Sequence, residues 1–305
     1  MRQEHGHLRP VLASGRSEPR EQSGGYRVGF VAEAIVDLKQ RERVLYSECL
    51  ARLLLPGGHL RMPSAFIPGL ETLGKITELD RFLLELTLAE LDAKPTVSLG
   101  CNLSPENLAT ERNWSAIVDC IAQHRHLAPR LVLELTESRP LDEIPHIAQR
   151  LAQVRDLGCR IAIDDFGAGH ASPSRLLSLD MEIDIVKIDK SFLHARRRTP
   201  SGKDSLLRII GLALCLAPVV VAEGIETKEH LAIMKAAGAT HGQGFLFPRD
   251  APGRWRAIDH SALGDLIAQV IEPYGLPGQS PAPGLPVNLL SRLWSLMPQR
   301  IGRRR

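Results

Sequence analysis

A chain of 305 residues, 44% hydrophobic and 24% charged, can bury one large core, and a single α/β barrel of about 250 residues fits that length with tails to spare. A net charge of +3, carried largely by arginines 196–198 and 303–305, with only 4% aromatics, excludes a broad nucleic-acid-binding face. Five scattered cysteines (49, 101, 120, 159 and 215) without a Cys-x-x-Cys pair exclude a disulfide framework and a structural zinc site, and they fit a reducing cytoplasm.

Residues 1–25 are polar and charged, lack the apolar run of a secretory signal, and read as a disordered arm. Residues 26–37 and 44–55 are β-rich, and the link between them, 38–43, is short and polar. Parallel strands need a crossover of a dozen or more residues, so the first strand is expected to run antiparallel to the second. Strand–helix alternation follows. Helical spacing covers 63–70 and 80–91, then a strand 96–102, a helix 114–124 and a strand 131–136. Residues 142–157 read as a helix, with Asp142 as N-cap and Gly158 as its stop. The central strand is 160–165, followed by a short helix 173–179, a strand 183–189 and a helix 204–216. A strand 218–223, a helix 228–237 and a last strand 240–247 complete eight strands, seven of them parallel. Sequential βα units of this size are the signature of a (β/α)₈, TIM-like barrel rather than an open sheet.

The barrel domain is therefore expected over 26–252, with a helical extension over 253–274 that includes a helix near 262–271. A Pro/Gly linker, 275–286, leads to an apolar, arginine-closed stretch, 287–305. That tail reads either as frayed chain or as a basic amphipathic segment for a membrane surface or a protein partner. The longest apolar run, 209–222, is too short to span a bilayer and is broken by Pro218.

The central strand ends in Asp164-Asp165-Phe166-Gly167-Ala168-Gly169. Neighbouring side chains on a strand point to opposite faces, so these two carboxylates share a task only where the strand stops and turns. Gly167 and Gly169 supply that turn. Crowded carboxylates need a proton or cations, and a pair of divalent metals suits phosphodiester hydrolysis. The plain alternative is a polar turn. Other strands, however, end in the same chemistry: Glu48, Asn102, Glu134, Asp189 and Glu223 are all oxygen donors, with Lys187 and Gln243 as polar additions. In a (β/α)₈ barrel such residues gather at the C-terminal mouth. An oxygen-rich set points to Mg²⁺ or Mn²⁺. Singly, Asn102 could cap a turn, Glu134 could pair with an arginine, and Glu223 or Glu226 could favour a helix start. Such readings at every strand end together are improbable.

Over about residues 26–250 the sequence resembles the EAL-domain phosphodiesterases, which hydrolyse cyclic di-GMP to linear pGpG. The matching motifs are Glu48-Cys49-Leu50-Ala51-Arg52, Asn102-Leu103-Ser104, Glu134-Leu135-Thr136-Glu137, the Asp164–Gly169 segment, Lys187-Ile188-Asp189, Ala222-Glu223-Gly224-Ile225-Glu226 and Gly242-Gln243-Gly244. The resemblance implies two Mg²⁺ or Mn²⁺ ions, cyclic di-GMP as the partner molecule, and a homodimer. It implies that Glu48, Asn102, Glu134 and Asp164 hold one metal, while Asp165, Asp189 and Glu223 serve the second metal and its waters. Lys187 would orient or deprotonate the attacking water, Gln243 would position it, and Arg52 would contact substrate phosphate. Glu137 and Glu226 would support loops and ligands.

Departures fall around this set. Cys49 stands where the family has alanine, and it serves as a small hydrophobe. Glu33-Ala34 replaces a Gln-Pro whose glutamine belongs to the substrate pocket, which places Glu33 beside Arg52 in substrate binding. His170 and Ala171 replace an aromatic and a serine in a loop that couples the metal site to dimerisation in the family. The alternative function is a cyclic di-GMP receptor or adaptor without turnover. Such members typically lose metal ligands, and none is missing here.

Overall fold

The computed structural model describes residues 25–136, 139–168, 176, 178–179, 181–194, 205–247, 249–258 and 261–271, without the side chains of 249–252. The arm, the linker and tail, and the expected helix at 173–179 apart from three positions lie outside the described residues.

The strands are β1 (Arg27–Asp37), β2 (Val44–Leu54), β3 (Leu60–Arg61), β4 (Leu99–Leu103), β5 (Leu131–Leu135), β6 (Arg160–Phe166), β7 (Ile185–Ile188), β8 (Val219–Ala222), β9 (His241–Gly242) and β10 (Arg249–Ala257). Eight of them close a barrel in the order β1-β9-β8-β7-β6-β5-β4-β2, with β1 returning to β2. The chain is thus an α/β barrel. As expected from the short link, β1 runs antiparallel to both β2 and β9, and the other seven barrel strands are parallel. The link turns tightly because Asp37 Oδ1 accepts the backbone N–H of Lys39 and Gln40, at 2.6 and 3.0 Å.

The helices are α1 (Ile67–Thr72), α2 (Ile76–Ala93), α3 (Glu106–Ala109), α4 (Glu111–Gln123), α5 (Ile147–Asp156), α6 (Ser191–His194), α7 (Ser205–Leu216), α8 (Lys228–Ala237) and α9 (Ala262–Ile271). Two apolar layers result. An outer core between barrel and helices holds residues such as Phe30, Leu84, Trp114, Leu135, Ile163, Ile210 and Val220. A separate plug inside the barrel consists of Ile35, Tyr46, Val132, Ala162, Ile185 and Val221.

Three expectations are corrected. Asp142 is not an N-cap: a 3₁₀ turn occupies Leu141–Glu143, and α5 begins five residues later than expected, behind His146 at φ 58°. Pro145 explains the delay, since the residue before a proline is driven out of the α region, and Ile144 is extended at ψ 118°. The last barrel strand is only His241–Gly242, because Gly244 turns the chain at φ 144°. A Cβ there would stand 2.5 Å from the Ile225 backbone. Finally, the extension expected to be helical from 253 opens as a strand instead. Residues 249–257 form β10, which pairs antiparallel with β1 from Arg27↔Ala257 to Glu33↔Arg249.

β10 belongs to a wall above the barrel rim. Beyond Cys49, β2 has no parallel neighbour; it pairs with β1 and β3 instead. The antiparallel order β3-β2-β1-β10 therefore stands up on one side of the mouth. Arg254 and Arg256 tie β10 to α2 through Glu90 (3.2 Å) and Glu85 (3.1 Å). Ile258, Leu263, Ile267, Val270 and Ile271, in the segment that follows it, are buried, with Val270 packed against Gly69 of α1. Five such side chains stabilise by at least about 5 kcal/mol. A chain cut after residue 252 is expected to melt roughly 10 °C or more below the full chain, measured by circular dichroism. An unchanged midpoint would make the wall dispensable.

Candidate active site

The site follows from a repeat of two along each strand. In β2, β5, β6, β7 and β8 a plug residue is followed two positions later by a charged one: Tyr46 by Glu48, Val132 by Glu134, Ala162 by Asp164, Ile185 by Lys187, and Val221 by Glu223. Residues i and i+2 share a face, so the charged layer lies one pleat above the apolar floor, toward the mouth. In β1 the order is reversed with the strand: Glu33 precedes Ile35, and Glu33 lies directly across from Glu48.

Lys187 is the centre of this layer and is fully buried. Its Nζ lies 2.9 Å from Glu48 Oε2, 2.9 Å from Glu134 Oε2, 2.8 Å from Asp164 Oδ1 and 2.9 Å from Glu223 Oε1. Glu48 also accepts Asn102 Nδ2 on Oε1 (2.9 Å) and Gln243 Nε2 on Oε2 (2.8 Å). An ammonium has three donors, so four carboxylates cannot all be satisfied. Both Glu134 oxygens and Asp164 Oδ1 lack a hydrogen bond of good geometry, as does the buried Gln243 Oε1.

Four carboxylates against one ammonium leave a formal charge of −3 when all are ionised. Burial and the neighbouring Glu48 and Asp164 carboxylates push Glu134 up to about 8, against the pull of Lys187. Burial and Asp164 likewise raise Glu223 well above the usual range. Burial acts on Glu48 too, but Lys187 and the two amide donors outweigh it and hold Glu48 low. Burial opposes the charge on Lys187, yet the surrounding carboxylates keep it firmly protonated.

Asp164 and Asp165 reach the same mouth by a backbone device. Asp165 itself takes φ 50°, and the β6–β7 register slips between Ile163 and Phe166. Gly167 follows at φ 89°, packed so that a Cβ would meet the Phe192 ring at 2.8 Å. Partial desolvation, Asp164 and Asp189 raise Asp165 to about 6. One oxygen each of Glu48, Glu134 and Asp164 lie within 4.8 Å of one another, and so do those of Asp164, Asp165 and Glu223. Two ligand sets sharing Asp164, already built around a cation and short of donors, fit hard divalent ions.

The family model described as EAL domain matches residues 22–250. The chain belongs to the EAL domain family. The cyclic di-GMP phosphodiesterase PdeF of Escherichia coli (strain K12) is 32% identical over 212 residues, 68% of this chain and 28% of that protein. The signaling protein YkoW of Bacillus subtilis (strain 168) is 32% identical over 218 residues, 70% of this chain and 27% of YkoW. The chain spans well under half the length of these relatives. Among solved structures, the c-di-GMP complex of PaMucR phosphodiesterase is similar at TM-score 0.60 and 26% identity, over 74% of this chain and 96% of that one. An EAL domain protein from Listeria monocytogenes EGD-e shares the fold at TM-score 0.61 and 24% identity, over 73% and 88% of the two chains.

Other residues singled out from the EAL motifs are placed as follows. Arg52 is largely buried on the wall, four residues and roughly 13 Å beyond Glu48 along β2. Its Nη1 donates to the carbonyls of Ala51 (2.8 Å) and Leu50 (3.3 Å). Asp189 lies one residue past β7 and outside both ligand sets; its Oδ1 accepts Ser191 N–H at 2.9 Å. Glu226 is exposed, and its backbone N–H points to His230 Nδ1 at 3.4 Å. Glu137, Gly169, His170 and Ala171 lie outside the described residues. Sequence reading passed over Tyr46 and Gly100, which lie under the charged layer; the only cue was Tyr46's place two residues before Glu48.

A carboxylate raised in the folded state binds protons more tightly there than in the unfolded chain, so its stabilisation is lost as pH rises through the folded value. For Glu134 that window runs from 4.5 to about 8. Buried Asp80, pushed up to about 7, adds the same sign outside the site. In chelator, stability is expected to fall by about 2 kcal/mol or more between pH 6.5 and 8.5. Added Mn²⁺ should shrink that fall, because a divalent ion replaces the proton. Denaturant unfolding at both pH values checks this, and a slope indifferent to Mn²⁺ would contradict it.

Proposed function

We propose that this chain is a metal-dependent phosphodiesterase that hydrolyses cyclic di-GMP to linear pGpG and lowers the level of that messenger. The observation that carries the reading is the buried cluster of Glu48, Glu134, Asp164 and Glu223 around Lys187, with Asp165 completing a second ligand set. Relatives named for cyclic di-GMP hydrolysis and the c-di-GMP complex of PaMucR support the substrate. A non-hydrolysing receptor would be favoured by a missing ligand residue, and the sequence carries each ligand residue of the EAL motifs.

In this reading Glu48, Asn102, Glu134 and Asp164 hold one Mg²⁺ or Mn²⁺, and Asp165, Asp189 and Glu223 serve a second. When bound, the ions supply Lewis acidity toward the phosphodiester and lower the pKa of water. Lys187 is kept protonated by its carboxylates, so it serves the attacking water as an orienting positive charge rather than as a base. Gln243 is tethered to Glu48 through Nε2, which leaves its buried Oε1 as an acceptor for that water. Arg52 offers a planar guanidinium to a substrate phosphate from the wall. Glu33, opposite Glu48, faces the same pocket with a negative charge and sets how closely the phosphates approach. Glu137 and Glu226 keep the supporting role that the EAL motifs give them.

Mg²⁺ or Mn²⁺ should support turnover of cyclic di-GMP, and Ca²⁺ should inhibit it, because its longer, looser coordination misplaces the reacting groups. Glu48→Ala or Asp164→Ala should abolish the product peak on chromatography while the chain stays folded. Full activity in excess chelator would sink the proposal.

Lys187→Ala, assayed at saturating metal, should lower kcat by at least about a hundredfold and change KM by less than about threefold. A change confined to KM would make Lys187 a substrate-binding group instead.

A further inference from the structure

Below the charged layer, the floor of the pocket is not apolar throughout. Tyr46 is 1% exposed, and its hydroxyl has no hydrogen-bond partner. Buried hydroxyls are rarely left so. Just above it, Glu134 Oε1 is also buried and without a donor. Both lie against Gly100. A Cβ on Gly100 would stand 2.0 Å from Glu134 Oε1 and 2.6 Å from Tyr46 Cε2, so those two atoms are at most 4.6 Å apart. Gly100 therefore makes room for both side chains at once. The Arg160 guanidinium lies over the Tyr46 ring at 5.9 Å and fixes the ring from the barrel's other end. A buried donor and a buried acceptor, both without a protein partner and both against the same glycine, are the setting in which one water bridges.

We propose that Tyr46 is a positioning residue for the cation site: its O–H, through one bridging water, fixes the Glu134 carboxylate in the space that Gly100 leaves open. The role rests on the metal reading above. It concerns the affinity with which the site takes a divalent ion, not the chemistry at phosphorus. Partners behind a metal ligand typically set affinity by tenfold or more.

The test is direct Mn²⁺ binding to the full chain, followed by loss of the electron paramagnetic resonance signal of free Mn²⁺, with melting in chelator alongside. Tyr46→Phe keeps the ring and removes only the hydroxyl. Its Mn²⁺ dissociation constant should rise about tenfold, while its melting temperature in chelator stays level or rises, since an unpaired buried hydroxyl is gone. A purely structural Tyr46 would show the opposite pattern: lower melting with unchanged Mn²⁺ affinity, which overturns the inference. Gly100→Ala, whose methyl displaces Glu134 Oε1 directly, should weaken Mn²⁺ binding at least as much, and wild-type affinity in that variant also overturns it. Absence of Mn²⁺ binding by the unaltered chain would instead overturn the metal reading on which the inference stands.

Discussion

An ammonium buried among four carboxylates is the constraint that the rest of this molecule serves. Each ion alone would be expensive to desolvate, and the pairings offset that cost only if all partners arrive within hydrogen-bond distance. Lys187 meets four oxygens at 2.8–2.9 Å. The four acids come from four different strands, separated by up to 175 residues between Glu48 and Glu223. Only a closed barrel brings those strand ends to one axis. Closure is completed by β1, which runs backwards and seals β2 to β9. Even so, the ammonium cannot neutralise its surroundings. The acids' raised protonation and the orphaned oxygens of Glu134 and Asp164 express the same deficit.

The vertical order of the pocket comes from the pleat. A floor of Ile35, Tyr46, Val132, Ala162, Ile185 and Val221 excludes water from below and lowers the local dielectric under the acids. One pleat higher stand the charged residues, and higher again, on the wall, stands Arg52. The floor is thus part of the electrostatics of the site as well as part of the core. Asp165 breaks the strand's alternation by adopting φ 50°, a conformation that costs a non-glycine residue energy and is held by its surroundings.

Much of this was legible before any coordinates. A polar residue at the end of each apolar run marked the strands, and the short 38–43 link announced the reversed first strand. What stayed hidden has identifiable causes. β10 contains Pro252 and Gly253, which argue against a strand. It tolerates them because it is an edge strand with register shifts around Val31↔Pro252. The late start of α5 was decided by Pro145, one residue that outweighed an attractive Asp142 cap. Gly167 and Gly169 are the evident turn formers in the sequence; aspartate also tolerates the left-handed region, and what places Asp165 there is the β6–β7 register slip, visible only in the folded sheet. Tyr46 and Gly100 carry no motif, and their pairing exists only once β2, β4 and β5 lie side by side.

The reversed first strand has a consequence for anything attached upstream. In an all-parallel barrel the chain enters from the floor, far from the mouth. Here Arg27 pairs with Leu54 at the top of the wall, and the strand descends from there. Six residues later it reaches Glu33, opposite Glu48. A segment joined ahead of β1 therefore meets the barrel at its mouth rather than at its floor.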